Sequence, residues 1–147
     1  MEDILNKIVG KRKEKISKFG YNFGIKIPEN RLYPLNIPEF GKGVVITEIK
    51  RGSPSEGRMR DIINVEEYAG KYINAGSDCV SILTEEDYFF GSIEDLIKVR
   101  IKFPKIPILR KDFLLYPEEV EISYRMGADL ILLIASILEF NVLEKMI

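Results

Sequence analysis

Glu48 and Lys50 stand two residues apart in the run Glu48-Ile49-Lys50-Arg51-Gly52-Ser53-Pro54-Ser55, at the end of the apolar stretch Val44-Val45-Ile46. In an extended chain, residues i and i+2 share a face, so an acid and a base leave this strand side by side where Gly-Ser-Pro turns the chain. A second place of the same kind is Arg110-Lys111-Asp112-Phe113, where the apolar run Ile106-Pro107-Ile108-Leu109 delivers Lys111 on the face of Leu109 and Phe113. One isolated Glu-x-Lys reads as a solvated strand end. Two charged clusters, each at the end of an apolar strand, read as a site built on strand ends. The sequence contains no histidine, which excludes a Ser-His-Asp triad, His-ligated zinc and imidazole acid–base chemistry within the chain. Catalysis, if the chain performs any, must therefore run on Lys, Glu and Asp.

The chain has 147 residues, a single-domain length with enough apolar residues for a core. Its 22 Lys and Arg against 23 Asp and Glu give a net charge of −1, which offers no broad basic field, so neither nucleic acid nor a membrane is an expected partner. The one cysteine, Cys79, cannot form an internal disulfide and opens an apolar run, where it reads as a small buried hydrophobe. No apolar stretch approaches the ~20 residues that cross a bilayer, and Met1-Glu2-Asp3 does not begin a signal-peptide pattern. A cytoplasmic setting is the expectation.

Several elements must position the two clusters. Residues 1–43 read as an N-terminal part, with an amphipathic helix over Ile4 to about Phe19 and an irregular connection through Pro28, Pro34 and Pro38 to Gly43. Lys11-Arg12-Lys13 reads as a solvated face of that helix. From residue 44 to 147, short apolar runs near 44–49, 79–83, 106–110 and 130–134 alternate with helical periods. Asn64 with Glu67 is an N-cap signature for a helix stopped by Gly76. Ser92 with Asp95 opens a second helix, and Pro117 at N1 with Glu118 and Glu119 opens a third that ends near Gly127. Leu130 to Ile134 is wholly apolar, as expected of a parallel strand buried on both faces. Ala75-Gly76-Ser77-Asp78 and Met126-Gly127-Ala128-Asp129 form a weak internal repeat, each placing Gly-small-Asp between a helix end and a strand. The order is a helix, then βαβαβαβ, then an incomplete helix from about Leu138.

Four ordered segments resemble the indole-3-glycerol phosphate synthase family. They are Glu48 to Ser55, Ser81-Ile82-Leu83-Thr84-Glu85-Glu86-Asp87-Tyr88-Phe89-Phe90-Gly91-Ser92, Pro107 to Phe113, and Gly127-Ala128-Asp129 with Leu130 to Ile134. The first helix is similar to the extra helix that this family carries before its barrel. The resemblance implies an α/β fold of the (β/α)8 TIM-barrel family, here about the first four βα units plus the extra helix. It implies ring closure of 1-(2-carboxyphenylamino)-1-deoxyribulose 5-phosphate, with loss of carbon dioxide and water, in tryptophan synthesis, with a sugar-phosphate substrate and neither cofactor nor metal.

Carried over by motif, Lys111 resembles the general acid that protonates the substrate ketone. Glu48 and Lys50 resemble the strand-one pair that binds substrate and takes part in proton transfer, and Ser53 matches a substrate-binding serine of the following loop. Phe89, Phe113 and Leu132 fall where the family lines its anthranilate pocket; ordinary core packing is the other reading of these three. Elementary chemistry agrees, because ring closure develops negative charge on the ketone oxygen, which an ammonium in a partly desolvated mouth can neutralise.

The sequence also departs from the family. Such a barrel needs roughly 250 residues, and the chain carries four strands, with no Gly-rich phosphate cradle among them. Strands one and four would be open parallel edges, which predicts self-association or pairing with a missing C-terminal half-barrel. The end of the sequence inside a helical pattern, Asn141 to Ile147, favours a truncated enzyme. A rival reading is a catalytically inert half-barrel that serves only as an assembly or binding module. A related sugar-phosphate barrel such as phosphoribosylanthranilate isomerase fits less well, since it relies on a cysteine and an aspartate at strand ends, and Cys79 opens strand two.

Overall fold

A computed structural model describes residues 3–62 and 64–147. The architecture is one parallel sheet with helices on one face. Its strands β1 (Ile46–Ile49), β4 (Cys79–Leu83), β5 (Ile108–Lys111) and β6 (Leu130–Ile131) lie in that spatial order. A separate two-stranded antiparallel ribbon, β2 (Gly52–Ser53) with β3 (Gly57–Arg58), occupies the loop after β1. The sequence pattern carried no sign of this ribbon, since two-residue strands have no periodicity to read.

The crossover helices are α2 (Val65–Asn74), α3 (Ile93–Lys102) and α4 (Glu118–Met126). Asn64 caps α2 by accepting the Glu67 amide at 2.9 Å, as its N-cap signature predicts. Ser92 caps α3 through the Glu94 amide. Pro117 stands at the N-cap rather than at N1, and the Glu119 carboxylate takes the Leu115 and Tyr116 amides. Gly127 ends α4 in the left-handed region at φ 105°.

Alternation along the strands divides the sheet into two faces. Ile49, Val80, Ile82 and Ile108 are buried against Val65, Ala69, Leu96, Val99 and Met126 of the helices, forming the core. The opposite face carries Glu48, Ser81, Leu109 and Leu130, which the register aligns as neighbours. Truncating a fully buried residue such as Leu96 costs about 2–5 kcal/mol.

The fourth strand differs from expectation. Only Leu130–Ile131 has strand geometry, and residues 130–134 are half-buried rather than buried on both faces. Among the described residues β6 pairs with β5 alone and β1 with β4 alone, so each lies at an edge and lacks the second neighbour that would bury it. The third strand begins at Ile108, where Pro107 contributes its carbonyl to the Val80 amide but has no N–H of its own. After β6 come a 3-10 turn, Ala135–Ile137, and the final helix α5 (Phe140–Met146).

The first helix, α1 (Ile4–Phe19), is capped by Asp3 and ends at Gly20, φ 79°. Ile8 and Arg12, one turn apart, form its buried face. Arg12 therefore departs from the solvated face expected of Lys11-Arg12-Lys13, and the reason is a pair of buried carboxylates described below. The irregular connection that follows is tied to the far end of the sheet by Arg31, which donates to the carbonyls of Tyr33 and Ala128 and to the Asp129 carboxylate. Among the described residues no helix is long and apolar enough to cross a membrane.

Candidate active site

Glu48 at the end of β1 and Lys111 at the end of β5 reach across the intervening β4. Lys111 Nζ donates to Glu48 Oε2 at 2.7 Å, and Lys50 Nζ lies 3.4 Å from Glu48 Oε1. One carboxylate thus holds two ammonium groups. All three side chains are between about a quarter and a half exposed, so they stand in a mouth rather than in the core. Strand alternation explains the meeting: Glu48 and Lys111 both point away from the helices, while their neighbours Ile49 and Arg110 are buried on the helix side.

Beside the charges lies an aromatic pair. The Phe89 and Phe113 rings have centroids 5.8 Å apart and planes inclined by 35°, a spacing within the range of favourable ring contacts. A cavity of about 90 Å³ is lined by Glu48, Lys50, Lys111 and Asp112 together with Leu83, Phe89, Phe113 and Leu132. Six of the seven residues singled out from the sequence thus share one cavity at the carboxyl ends of parallel strands. Ser53 is not among its lining residues. It sits in β2, with Oγ 3.3 Å from Ser55 Oγ and 3.4 Å from Glu56 Oε2.

Phe89 is held in place by Glu85, whose carboxylate accepts the amides of Asp87, Tyr88 and Phe89 at 3.0, 2.8 and 2.9 Å. Burial pushes the Glu85 carboxyl above its ordinary range, against the downward pull of those amides. From outside, Lys15 of α1 pairs with Glu86 at 2.5 Å and Asp87 at 3.1 Å, fastening the same loop. Arg51 ties the loop after β1 to Asp95 and to the Ile62 carbonyl.

Behind Lys111 lies a buried charge network that the sequence reading did not foresee. Arg12 donates to Asp112 Oδ1 at 2.7 Å and to Glu119 Oε1 at 2.5 Å, and Arg110 donates to Asp112 Oδ2 at 2.9 Å. Thr84 donates to Asp112 and accepts from Arg110 Nε, while Arg110 also reaches Ser123. Every charged member is at most 5% exposed. Burial alone would raise the Asp112 carboxyl, but Arg12 and then Arg110, with bonds from Thr84 and the Phe113 amide, outweigh it and hold the group at about 2. The only signals in the sequence were positional: Arg12 lies one turn from Ile8, and Arg110 alternates with Ile108.

Cys79 is fully buried, and burial pushes its thiol up to about 11, so it is a packing residue rather than a nucleophile. Among the described residues no cluster of His, Cys, Asp or Glu has the makings of a metal site.

Comparison with known proteins meets this geometry from another direction. Residues 5–147 match the family model described as indole-3-glycerol phosphate synthase. The chain is 48% identical over 107 residues to the indole-3-glycerol phosphate synthase of Carboxydothermus hydrogenoformans, covering 73% of this chain and 40% of that protein. It is 39% identical over 134 residues to the protein of the same name from Petrotoga mobilis, covering 91% of this chain and 49% of that one. With the Aquifex aeolicus protein the identity is 42% over 103 residues, or 70% of this chain and 39% of the relative. The chain thus spans less than half the length of these curated relatives. A match running through nearly the whole sequence, with strand ends that carry the motif residues into one cavity, makes this chain a member of the indole-3-glycerol phosphate synthase family.

Proposed function

We propose that this chain supplies the catalytic lysine half of an indole-3-glycerol phosphate synthase, acting on 1-(2-carboxyphenylamino)-1-deoxyribulose 5-phosphate. The observation that carries the reading is the Lys111–Glu48–Lys50 cluster set against the Phe89–Phe113 pair. In the reaction, the aryl carbon that bears the carboxylate attacks the ketone carbon. Lys111 gives its proton to the ketone oxygen as charge develops there. The carboxylate then leaves as carbon dioxide, and the new hydroxyl leaves as water when a ring proton is lost.

Each neighbour has a part in this scheme. Glu48 aims the Lys111 ammonium and returns a proton to it, Lys50 attracts the anionic substrate, and the two phenylalanine rings with Leu132 bound the space for the anthranilate ring. Ser53 serves the substrate from the loop after β1. Phosphate recognition falls to the rest of the barrel, and the open edges of β1 and β6 support four further strands joining there. The chemistry uses side chains alone, and the proposed setting is the cytoplasm.

The test is the fluorescence of indole-3-glycerol phosphate as it forms from the substrate, using this chain alone and with a separately expressed C-terminal half of a relative. Turnover in the assembled mixture is expected. No turnover in a mixture that light scattering shows to be assembled would overturn the reading and leave the chain as an inert half-barrel.

A further inference from the structure

Lys111 has four rotatable bonds, and a half-exposed ion pair to Glu48 is a weak restraint on them. Its backbone, by contrast, is held from the buried side of the strand. The residues on either side, Arg110 and Asp112, turn their side chains to the buried side, where they meet each other and Thr84. The Thr84 amide also donates to the Lys111 carbonyl at 3.1 Å. The Asp112 carboxylate accepts from Arg12, Arg110, Thr84 and the Phe113 amide together, so both of its oxygens are fully engaged.

We propose that Asp112, locked by Arg12, Arg110 and Thr84, is the positioning residue of the active site, fixing the strand end that carries Lys111 toward Glu48 and Phe113 toward Phe89. The proposal rests on the reading of Lys111 as the proton donor. Three features of the network set it apart from packing. Asp112 lines the cavity, with its carboxylate buried just behind the wall. It makes a bond to the Phe113 amide at 2.8 Å, so one group orients residues on both sides of itself. Finally, a buried ionic cluster is a weak source of net stability compared with an apolar one, whereas it holds its members in a single geometry. Through Arg12, α1 is joined to the strand end that bears the ammonium.

Two variants test this, Asp112→Asn and the milder Thr84→Val, which removes one hydroxyl while keeping the shape and all charges. The first readout is trace acetylation of Lys111 by acetic anhydride, measured by mass spectrometry against the exposed Lys98 of α3. Both variants are expected to raise the Lys111 to Lys98 ratio roughly two- to fivefold, as a half-exposed ion pair loosens. The second is steady-state kinetics with the complementary half-barrel, where kcat should fall about 10- to 100-fold with KM little changed, because orientation and not binding is lost.

An unchanged ratio and unchanged kcat in folded Thr84→Val overturn the proposal even when Asp112→Asn fails to fold. Faster acetylation of both lysines alike reports general loosening and overturns it too, as does a raised Lys111 ratio with kcat unaltered. A wild-type assembly with no turnover instead overturns the reading of Lys111 as proton donor, and the acetylation ratio alone then decides whether Asp112 positions the lysine.

Discussion

Lys111 and Glu48 are 63 residues apart in sequence and two strands apart in the sheet, yet Nζ and Oε2 meet at 2.7 Å. The pair spans the open face of the sheet and draws Lys50 to the same carboxylate. In an assembled barrel, Lys111→Ala is expected to abolish product formation while circular dichroism stays that of the wild type. Glu48→Gln keeps the shape but removes the charge that holds both ammonium groups, and kcat should fall about 10²- to 10⁴-fold, the usual worth of a positioned proton-transfer group. Full activity in the folded Lys111→Ala variant would remove Lys111 from the reaction.

Acid should weaken the fold through Asp112. Its folded carboxyl titrates at about 2 against an ordinary value of 3.8, so the folded state holds the proton less tightly than the unfolded chain. A depressed value of this kind contributes stability that is complete above about pH 4 and fades as the pH falls toward about 2. The shift corresponds to about 2 kcal/mol. Urea midpoints followed over that interval should fall steeply for the wild type and more gently for Asp112→Asn. Parallel curves for the two proteins would contradict this account.

Much of this arrangement is legible in the sequence. Period-2 alternation placed Glu48 and Lys50 on one face, the Asn64 and Ser92 caps marked two helix starts, and the motifs located Lys111, Phe89, Phe113 and Leu132. What escaped was set by contacts distant in sequence. Arg12 looks like any surface arginine until Asp112 and Glu119, 100 and 107 residues away, are folded against it. The apolar run 130–134 reads as a fully buried strand because hydrophobicity alone does not say whether a second neighbour is present. Ser53 matches by motif, but the ribbon β2–β3 sets its place outside the cavity lining, and two-residue strands leave no pattern to detect.

Gly91 is the close-packed point of the loop that carries Phe89. A Cβ there would lie within the contact distance of the Leu83 carbonyl oxygen, 2.7 Å from that carbonyl carbon and 2.9 Å from the Glu85 oxygen. All three are backbone atoms, which cannot turn aside as a side chain would. Gly91→Ala is expected to cost about 1–3 kcal/mol, the range of overpacking substitutions, and to draw Phe89 away from Phe113. Thermal unfolding measures the first effect. Substrate KM in the assembled barrel measures the second, since a displaced aromatic wall weakens binding more than proton transfer. A variant with wild-type stability would show that the loop has room the geometry does not allow.

At the opposite end of the sheet, Asp129 has no part in the proposed chemistry, which makes it a clean test of the buried ionic framework. Its side chain is fully buried and accepts from Arg31 at 2.5 Å, from Arg100, and from the amides of Asn36 and Ile108, each at 2.9 Å. Arg31 belongs to the irregular connection after α1 and Arg100 to α3, so one carboxylate joins three parts of the chain. Removing it leaves two guanidinium groups, at most 4% exposed, facing each other without a counter-charge. Breaking a buried pair in this way costs about 3–5 kcal/mol, and Asp129→Ala should lower the urea midpoint accordingly. The double variant Asp129→Ala with Arg100→Met should recover part of that loss, because it withdraws one of the uncompensated charges. If the second substitution deepens the loss instead, packing around Arg100 matters more than its charge.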